Sequence, residues 1–269
     1  MTTAAATRTP TRDAVFAPVR GVISHREVIH LSGETKTGKT TWALATTPEP
    51  VFYLCFDPNG KGIAEKVVAQ THRDIRIAYF SLKEHGLQTR KGDVPEEYIE
   101  QWKRVKEAWD TAVEHGAGTL VVDTWTELYE ECRLAEFGKV DQVRERYYGP
   151  INAKLKLMMR DLYGTDLNAI LISKMRWVYV DDKRTDKREA AAWGDTDSEA
   201  LSVLEFWRDD AALAAWKPDE GGHMDDAGNW VWPFHIYVQA ARNNMTLFSR
   251  DLTTDLIGFK EWTQLVYRG

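Results

Sequence analysis

Residues 29–44, IHLSGETKTGKTTWAL, constrain the fold more than any other stretch of the chain. An apolar run gives way to a loop bounded by Gly33 and Gly38, and the loop opens directly into a helix-forming segment that Pro48 stops. Strand, glycine turn and helix in immediate succession form the first half of a βαβ unit. Such units commit their neighbours to a parallel sheet covered by helices on both faces.

The surrounding sequence repeats that alternation from about residue 27 to 174. PVFYLCFD (50–57) is a near-continuous apolar run, as expected of a strand buried on both faces. A helix is expected over GIAEKVVAQ and a third strand over IRIAYFS (75–81). Tyr98, Trp102, Val105, Trp109 and Ala112 recur at spacings of 4, 3, 4 and 3, one apolar stripe on a long helix that Gly116 ends. TLVVDT (119–124) and NAILISK (168–174) read as the fourth and fifth strands, with two helices between them, the second marked by Ile151, Leu155, Met158 and Leu162. Beyond Lys174 the pattern loosens. WVYVDDKRTDKREAAAWGDTD reads as a strand that becomes a charged loop, SEALSVLEFWRDDAALAAW as a helix, FHIYVQAA as a last strand and FKEWTQLVY as a closing helix. No linker separates a second domain, so residues 23–269 read as one domain with an elaboration from about residue 175.

The loop itself matches G-x-x-x-x-G-K-[ST], the Walker A pattern, at Gly33, Gly38, Lys39 and Thr40. A phosphate is a diffuse anion that several backbone N–H groups hold at once, provided the loop curls tightly and no side chain blocks the approach. The span Gly33, Glu34, Thr35, Lys36, Thr37, Gly38, Lys39, Thr40 and Thr41 is therefore expected to cradle a nucleotide. Lys39 would reach the β and γ phosphates and Thr40 would ligate Mg²⁺. Asp123, the acid that closes the apolar run TLVVD, has the form of a Walker B residue and is the second expected Mg²⁺ ligand. Two strands between the glycine loop and this acid suit the branch of P-loop proteins that hydrolyse ATP for mechanical or assembly work. A helix cap formed with Thr124 is the plainer role for the same aspartate.

GETKTGKTTWALATTPEPVFYLCFDPNGKG, then TLVVDTWTELYE, then AILISKM resemble the phage-type RecA-like nucleotide-binding ATPases, an AAA-type phage group that includes single-strand-annealing recombination proteins. The resemblance covers about residues 25–180. It implies an α/β RecA-like core with a mostly parallel central sheet, ATP with Mg²⁺, and ATP-dependent handling of single-stranded DNA. It also implies a homo-oligomer working with a phage annealing or single-strand-binding partner. In that family a glutamate two residues past the aspartate that ends the second core strand polarises the attacking water. Here the sequence is Asp57-Pro58-Asn59, so the glutamate is an asparagine. Asp57 is the best substitute and Glu127 the runner-up, and slow, partner-stimulated turnover is expected. Lys174, at the end of the fifth strand, stands where the family places a polar sensor of the γ-phosphate.

Arg176, Lys183, Arg184, Lys187 and Arg188 follow, interleaved with Trp177 and Tyr179. Charge to track a backbone and rings to stack on bases suit single-stranded DNA, although neighbouring aspartates dilute the charge and a solvated hairpin is the alternative. Arg242 is a candidate arginine finger across a subunit boundary. Lys36, a second lysine in a loop that needs one, points over the phosphates or toward a neighbouring subunit. Two other function classes fit the same loop: a small-molecule kinase with DDKRTDKRE as its lid, and an assembly switch that binds ATP and scarcely hydrolyses it.

Composition excludes several classes. A formal charge of -6 leaves room for a local basic patch but not for a surface that coats nucleic acid throughout. Two cysteines in apolar contexts and seven histidines without ligand spacing give no disulfide framework and no zinc site. A reducing cytoplasm is the expected setting, the host's if the chain is phage-encoded. No apolar run reaches the length of a membrane span. Residues 1–22 read as a disordered leader broken by Pro10 and Pro18, although their acid-poor composition is one that transit peptides share.

Overall fold

A computed structural model describes residues 26–80, 94–139, 147–181, 183–215, 223–224, 230–231, 233–253 and 257–268. The leader expected over residues 1–22 lies outside the described residues. In chain order the elements begin with β1 (Val28–Gly33), α1 (Lys39–Thr46), β2 (Val51–Cys55), α2 (Gly60–Thr71), β3 (Ile75–Tyr79), α3 (Glu96–His115) and β4 (Thr119–Asp123). Then come α4 (Trp125–Phe137), α5 (Gly149–Tyr163), β5 (Asn168–Ile172), β6 (Met175–Val180), β7 (Lys183–Ala190), α6 (Thr196–Glu199) and β8 (Ser202–Arg208). The remainder is α7 (Asp210–Ala215), β9 (His223–Met224), β10 (Trp230–Val231), β11 (Phe234–Ala241), β12 (Asp251–Thr253) and α8 (Phe259–Arg268).

The fold is α/β. One eight-stranded mixed sheet runs β12-β11-β8-β1-β5-β4-β2-β3. The six strands from β8 to β3 are parallel, and β11 and β12 extend the sheet antiparallel at the far edge. Every residue of β1, β2, β4 and β5 is buried, which is why β2, β4 and β5 are almost uninterrupted apolar runs, while His30 and Ser32 interrupt β1. Helices α1, α2 and α8 cover one face, packing Trp42, Val67 and Trp262 against Ile29, Tyr53 and Ile170. On the other face α3, α4 and α5 pack Trp109, Leu128 and Leu155 against Leu54, Leu120 and Leu171. The stripe expected on α3 is the face that goes in: Tyr98, Val105, Trp109 and Ala112 are buried and Gly116, at φ 71, caps the helix.

Two departures appear beyond Lys174. Residues 183–190, read as a charged loop with a solvated hairpin as the alternative, form β7 and pair antiparallel with β6 in a separate hairpin, as the alternative had it. The strand has no apolar alternation because its stability comes from its partner: Trp177 lies under the guanidinium groups of Arg184 and Arg188, at 4.2 and 3.9 Å. Residues 202–208, expected inside a helix, form β8. Glu, Leu and Ala favour a helix locally, but Val203, Leu204 and Phe206 are buried between β1 and β11, and pairing on both edges overrides propensity. The last strand expected over FHIYVQAA is β11, and the short β12 follows it.

Candidate functional site

The parallel strands all point their carboxyl ends at one edge of the sheet, and there β1, β2, β4 and β5 deliver the loops around a cavity of about 830 Å³. Gly33 ends β1 at φ 138, and a Cβ on it would lie 2.1 Å from the Phe206 carbonyl oxygen of β8. Only glycine lets the two backbones approach that closely. Gly38, at φ 88, turns the chain into α1 without a side-chain cap. The first-turn N–H groups of α1 therefore keep their donors, and the positive end of its dipole sits at the cavity.

Lys39 bridges the loop. Its Nζ donates to the Gly33 carbonyl at 2.8 Å and the Glu34 carbonyl at 2.6 Å, and lies 3.3 Å from Thr37 Oγ1. Burial pushes its ammonium down to about 8, against the pull of the Asp123, Glu34 and Asp57 carboxylates. Thr35, Lys36 and Thr41 lie exposed on the rim, with Lys36 in the left-handed conformation at φ 63.

Asp123 faces this loop from β4. Its Oδ2 accepts from the Thr40 hydroxyl at 2.7 Å and from the Tyr53 hydroxyl at 3.0 Å. Burial raises its pKa, and these two hydrogen bonds work against the shift. Tyr53 was not anticipated. It alternates inward on an apolar strand, and only the parallel register of β2 with β4 brings its hydroxyl to the carboxylate. Strand β5 lies between β1 and β4, so its end carries Ser173 and Lys174 into the gap between loop and acid.

The other acids are already engaged. Asp57 lines the cavity and closes a turn, its Oδ1 accepting from the Asn59 backbone N–H at 2.8 Å. Glu127 is not among the lining residues. Thr124 caps α4 by accepting from the Glu127 N–H at 3.2 Å, and the Glu127 carboxylate in turn takes the Thr124 hydroxyl and the Lys174 ammonium. Lys174 and Glu127, expected as separate groups, are thus one ion pair at the rim. Beneath them Ser173 Oγ lies 2.8 Å from His30 Nε2, and His30 Nδ1 meets Asp197.

The basic hairpin divides. Arg188 reaches the cavity and pairs with Glu34 of the loop. Arg176 pairs with Glu189 at 2.8 Å, while Lys183, Arg184 and Lys187 lie exposed away from the cavity. Trp177 is half-buried and Tyr179 is 62% exposed, so an open aromatic and basic surface adjoins the site. Arg242 lies next to Ala241, which pairs with Ser202 at the start of β8, so it sits at the opposite end of the strands. Its guanidinium donates to the Ser198 carbonyl.

The donor set suits a phosphorylated ligand: a tight glycine loop, an uncapped helix start, one ammonium held at the loop and a cavity of the size that small-molecule sites take. Thr40 and Asp123 also suit Mg²⁺, which takes one or two protein ligands and completes its shell with phosphate and water. Among the described residues no three acids, histidines or cysteines gather as a self-sufficient metal cage, and Mg²⁺ at phosphate requires none.

No family model matches the chain, and no curated protein matches it.

Proposed function

We propose that this chain is a RecA-like P-loop ATPase that binds Mg-ATP and acts on single-stranded DNA in phage recombination or replication, as an oligomer with slow or DNA-stimulated hydrolysis. The observation that carries the nucleotide reading is the 2.7 Å contact between Thr40 and Asp123 beside the Lys39 loop. It brings the two expected metal ligands together from elements far apart in sequence. The two strands β2 and β3 between loop and acid, and β5 inserted between β1 and β4, support the ATP-hydrolysing branch.

The bound metal would polarise the phosphoryl oxygens and offset their charge. Lys39 would leave the loop carbonyls to hold the β and γ phosphates, Thr40 and Asp123 would hold the metal, and Asp57 would orient water. Asp57 already carries a turn hydrogen bond and Asn59 replaces the expected glutamate, which supports slow turnover and keeps a switch with little hydrolysis as the second reading. The DNA assignment rests on the resemblance and on the exposed basic and aromatic face of β6–β7, where charge and rings suit single strands.

The test is equilibrium binding of a fluorescent ATP analogue to wild type and Lys39→Ala with Mg²⁺ or EDTA, then ATP hydrolysis with and without single-stranded DNA while size is followed by light scattering. Mg-dependent binding lost in Lys39→Ala, with DNA-stimulated turnover, is expected. Absence of binding overturns the nucleotide reading, and binding without a DNA response or assembly overturns the recombination role.

A further inference from the structure

Arg188 belongs to the hairpin by sequence and to the loop's cavity by position. The base of the hairpin is fixed where β5 ends: the Ala191 N–H donates to the Lys174 carbonyl at 2.7 Å, and the Thr126 hydroxyl donates to the Ala191 carbonyl at 2.5 Å. From that anchor Arg188 stacks on Trp177 at 3.9 Å and pairs with Glu34, while a third of its side chain stays accessible. Stacking holds the guanidinium plane without using its N–H donors.

Glu34 is the odd group in this loop, because a carboxylate beside a phosphate cradle repels the anion. We propose that Arg188 is a terminal-phosphate ligand supplied by the chain itself, with Glu34 as the partner that holds it in readiness. Arg188 exchanges the Glu34 carboxylate for the γ-phosphate, the same fork-to-oxygen geometry with a more highly charged acceptor. The inference rests on the nucleotide reading above and goes beyond it. It moves Arg188 from the DNA face to the nucleotide site and makes the hairpin respond to the phosphate count.

A plainer role is available to the same pair. Arg188 could serve only to neutralise Glu34, in which case it supports every nucleotide alike. The two roles separate in binding measured without turnover. The dissociation constants of ATP and ADP with Mg²⁺ would be determined by calorimetry for wild type, Arg188→Ala, Arg188→Lys, Glu34→Gln and the Glu34→Gln/Arg188→Ala double variant, with circular dichroism confirming the fold. Loss of a charge-assisted hydrogen bond corresponds to roughly 10- to 100-fold in affinity. Arg188→Ala is therefore expected to lower the preference for ATP over ADP by that factor. Arg188→Lys restores it only in part because an ammonium has no planar fork, Glu34→Gln raises it, and the double variant stays as low as Arg188→Ala.

Equal weakening of ATP and ADP in Arg188→Ala, with both recovered in the double variant, overturns the proposal in favour of neutralisation. An unchanged preference overturns it as well, and in both cases the nucleotide reading survives because the wild type binds. Wild type that binds neither nucleotide overturns both.

Discussion

Thr40 stands on α1 and Asp123 on β4, yet the Thr40 hydroxyl donates to Asp123 Oδ2 at 2.7 Å while Tyr53 approaches the same oxygen at 3.0 Å. A buried carboxylate with two neutral donors and a raised pKa is one whose charge is costly until a cation arrives. Asp123→Asn keeps the shape and removes that charge. The variant is expected to retain its thermal midpoint, or gain a few degrees, while losing the strengthening of ATP binding by Mg²⁺. A magnesium titration of ATP affinity checks this, and an unchanged magnesium response removes Asp123 from the metal site.

Lys39 would set a pH limit on the proposed ATP binding. Its pKa lies at about 8 instead of the usual 10.5, so near pH 8 about half of the ligand-free protein lacks the charge proposed to hold phosphate. An anion favours the charged form and raises the value, so binding takes up a proton. ATP affinity is expected to be flat below pH 7 and to fall by up to about tenfold per pH unit above 8. Calorimetry in buffers of different ionisation enthalpy measures the proton uptake, and a flat profile to pH 9.5 contradicts it.

Glu131 carries a separate pH signal. Its side chain is 1% exposed and Gln101 donates to Oε1 at 2.6 Å, but burial pushes the carboxyl up to about 7 from 4.5. The folded value is the higher one, so the stability this group contributes is present below about 4.5 and is lost as pH rises through about 7. Glu131→Gln is expected to be more stable than wild type at pH 8, by on the order of 2–3 kcal/mol, with the difference vanishing near pH 4.5. Urea unfolding of both proteins across that range decides it.

The hairpin face predicts a salt signature. Lys187 is exposed on β7, and each phosphate contact on a single strand contributes about 0.7 to the slope of log K against log salt. Lys187→Ala is expected to lower that slope by about 0.7 and leave ATP affinity untouched. Fluorescence anisotropy of a labelled oligonucleotide over a salt series measures it, and an identical slope removes Lys187 from the proposed DNA contact.

Lys36 separates from Lys39 by its position. It is exposed at the crown of the loop at φ 63, whereas Lys39 is folded into the loop. Lys36→Ala is expected to lower turnover several-fold while changing the dissociation constant of ATP by less than about twofold. Equal losses in both quantities rule out a role confined to the transition state.

The central strands, α3 and the Lys39 loop were legible because each is dictated locally. Continuous burial writes itself as apolar runs in β2, β4 and β5, and a tight turn from strand into helix calls for residues that tolerate positive φ, as Gly33 and Gly38 do. Strand β7 was legible only as the hairpin alternative and β8 not at all, because the groups that stabilise them come from elsewhere: Trp177 under Arg184 and Arg188, and β1 and β11 on either side of β8.

The same division runs through the site. The sequence by itself determined which residues form the loop and which acid ends an apolar strand. Only the tertiary structure decided that Asp123 meets Thr40 and Tyr53, that Glu127 is taken by Lys174, and that Arg188 leaves the other basic residues of its hairpin for Glu34. A turn or a buried strand is fixed by interactions within a few residues. A charge finds its partner through strand order and register, which no short stretch of sequence contains.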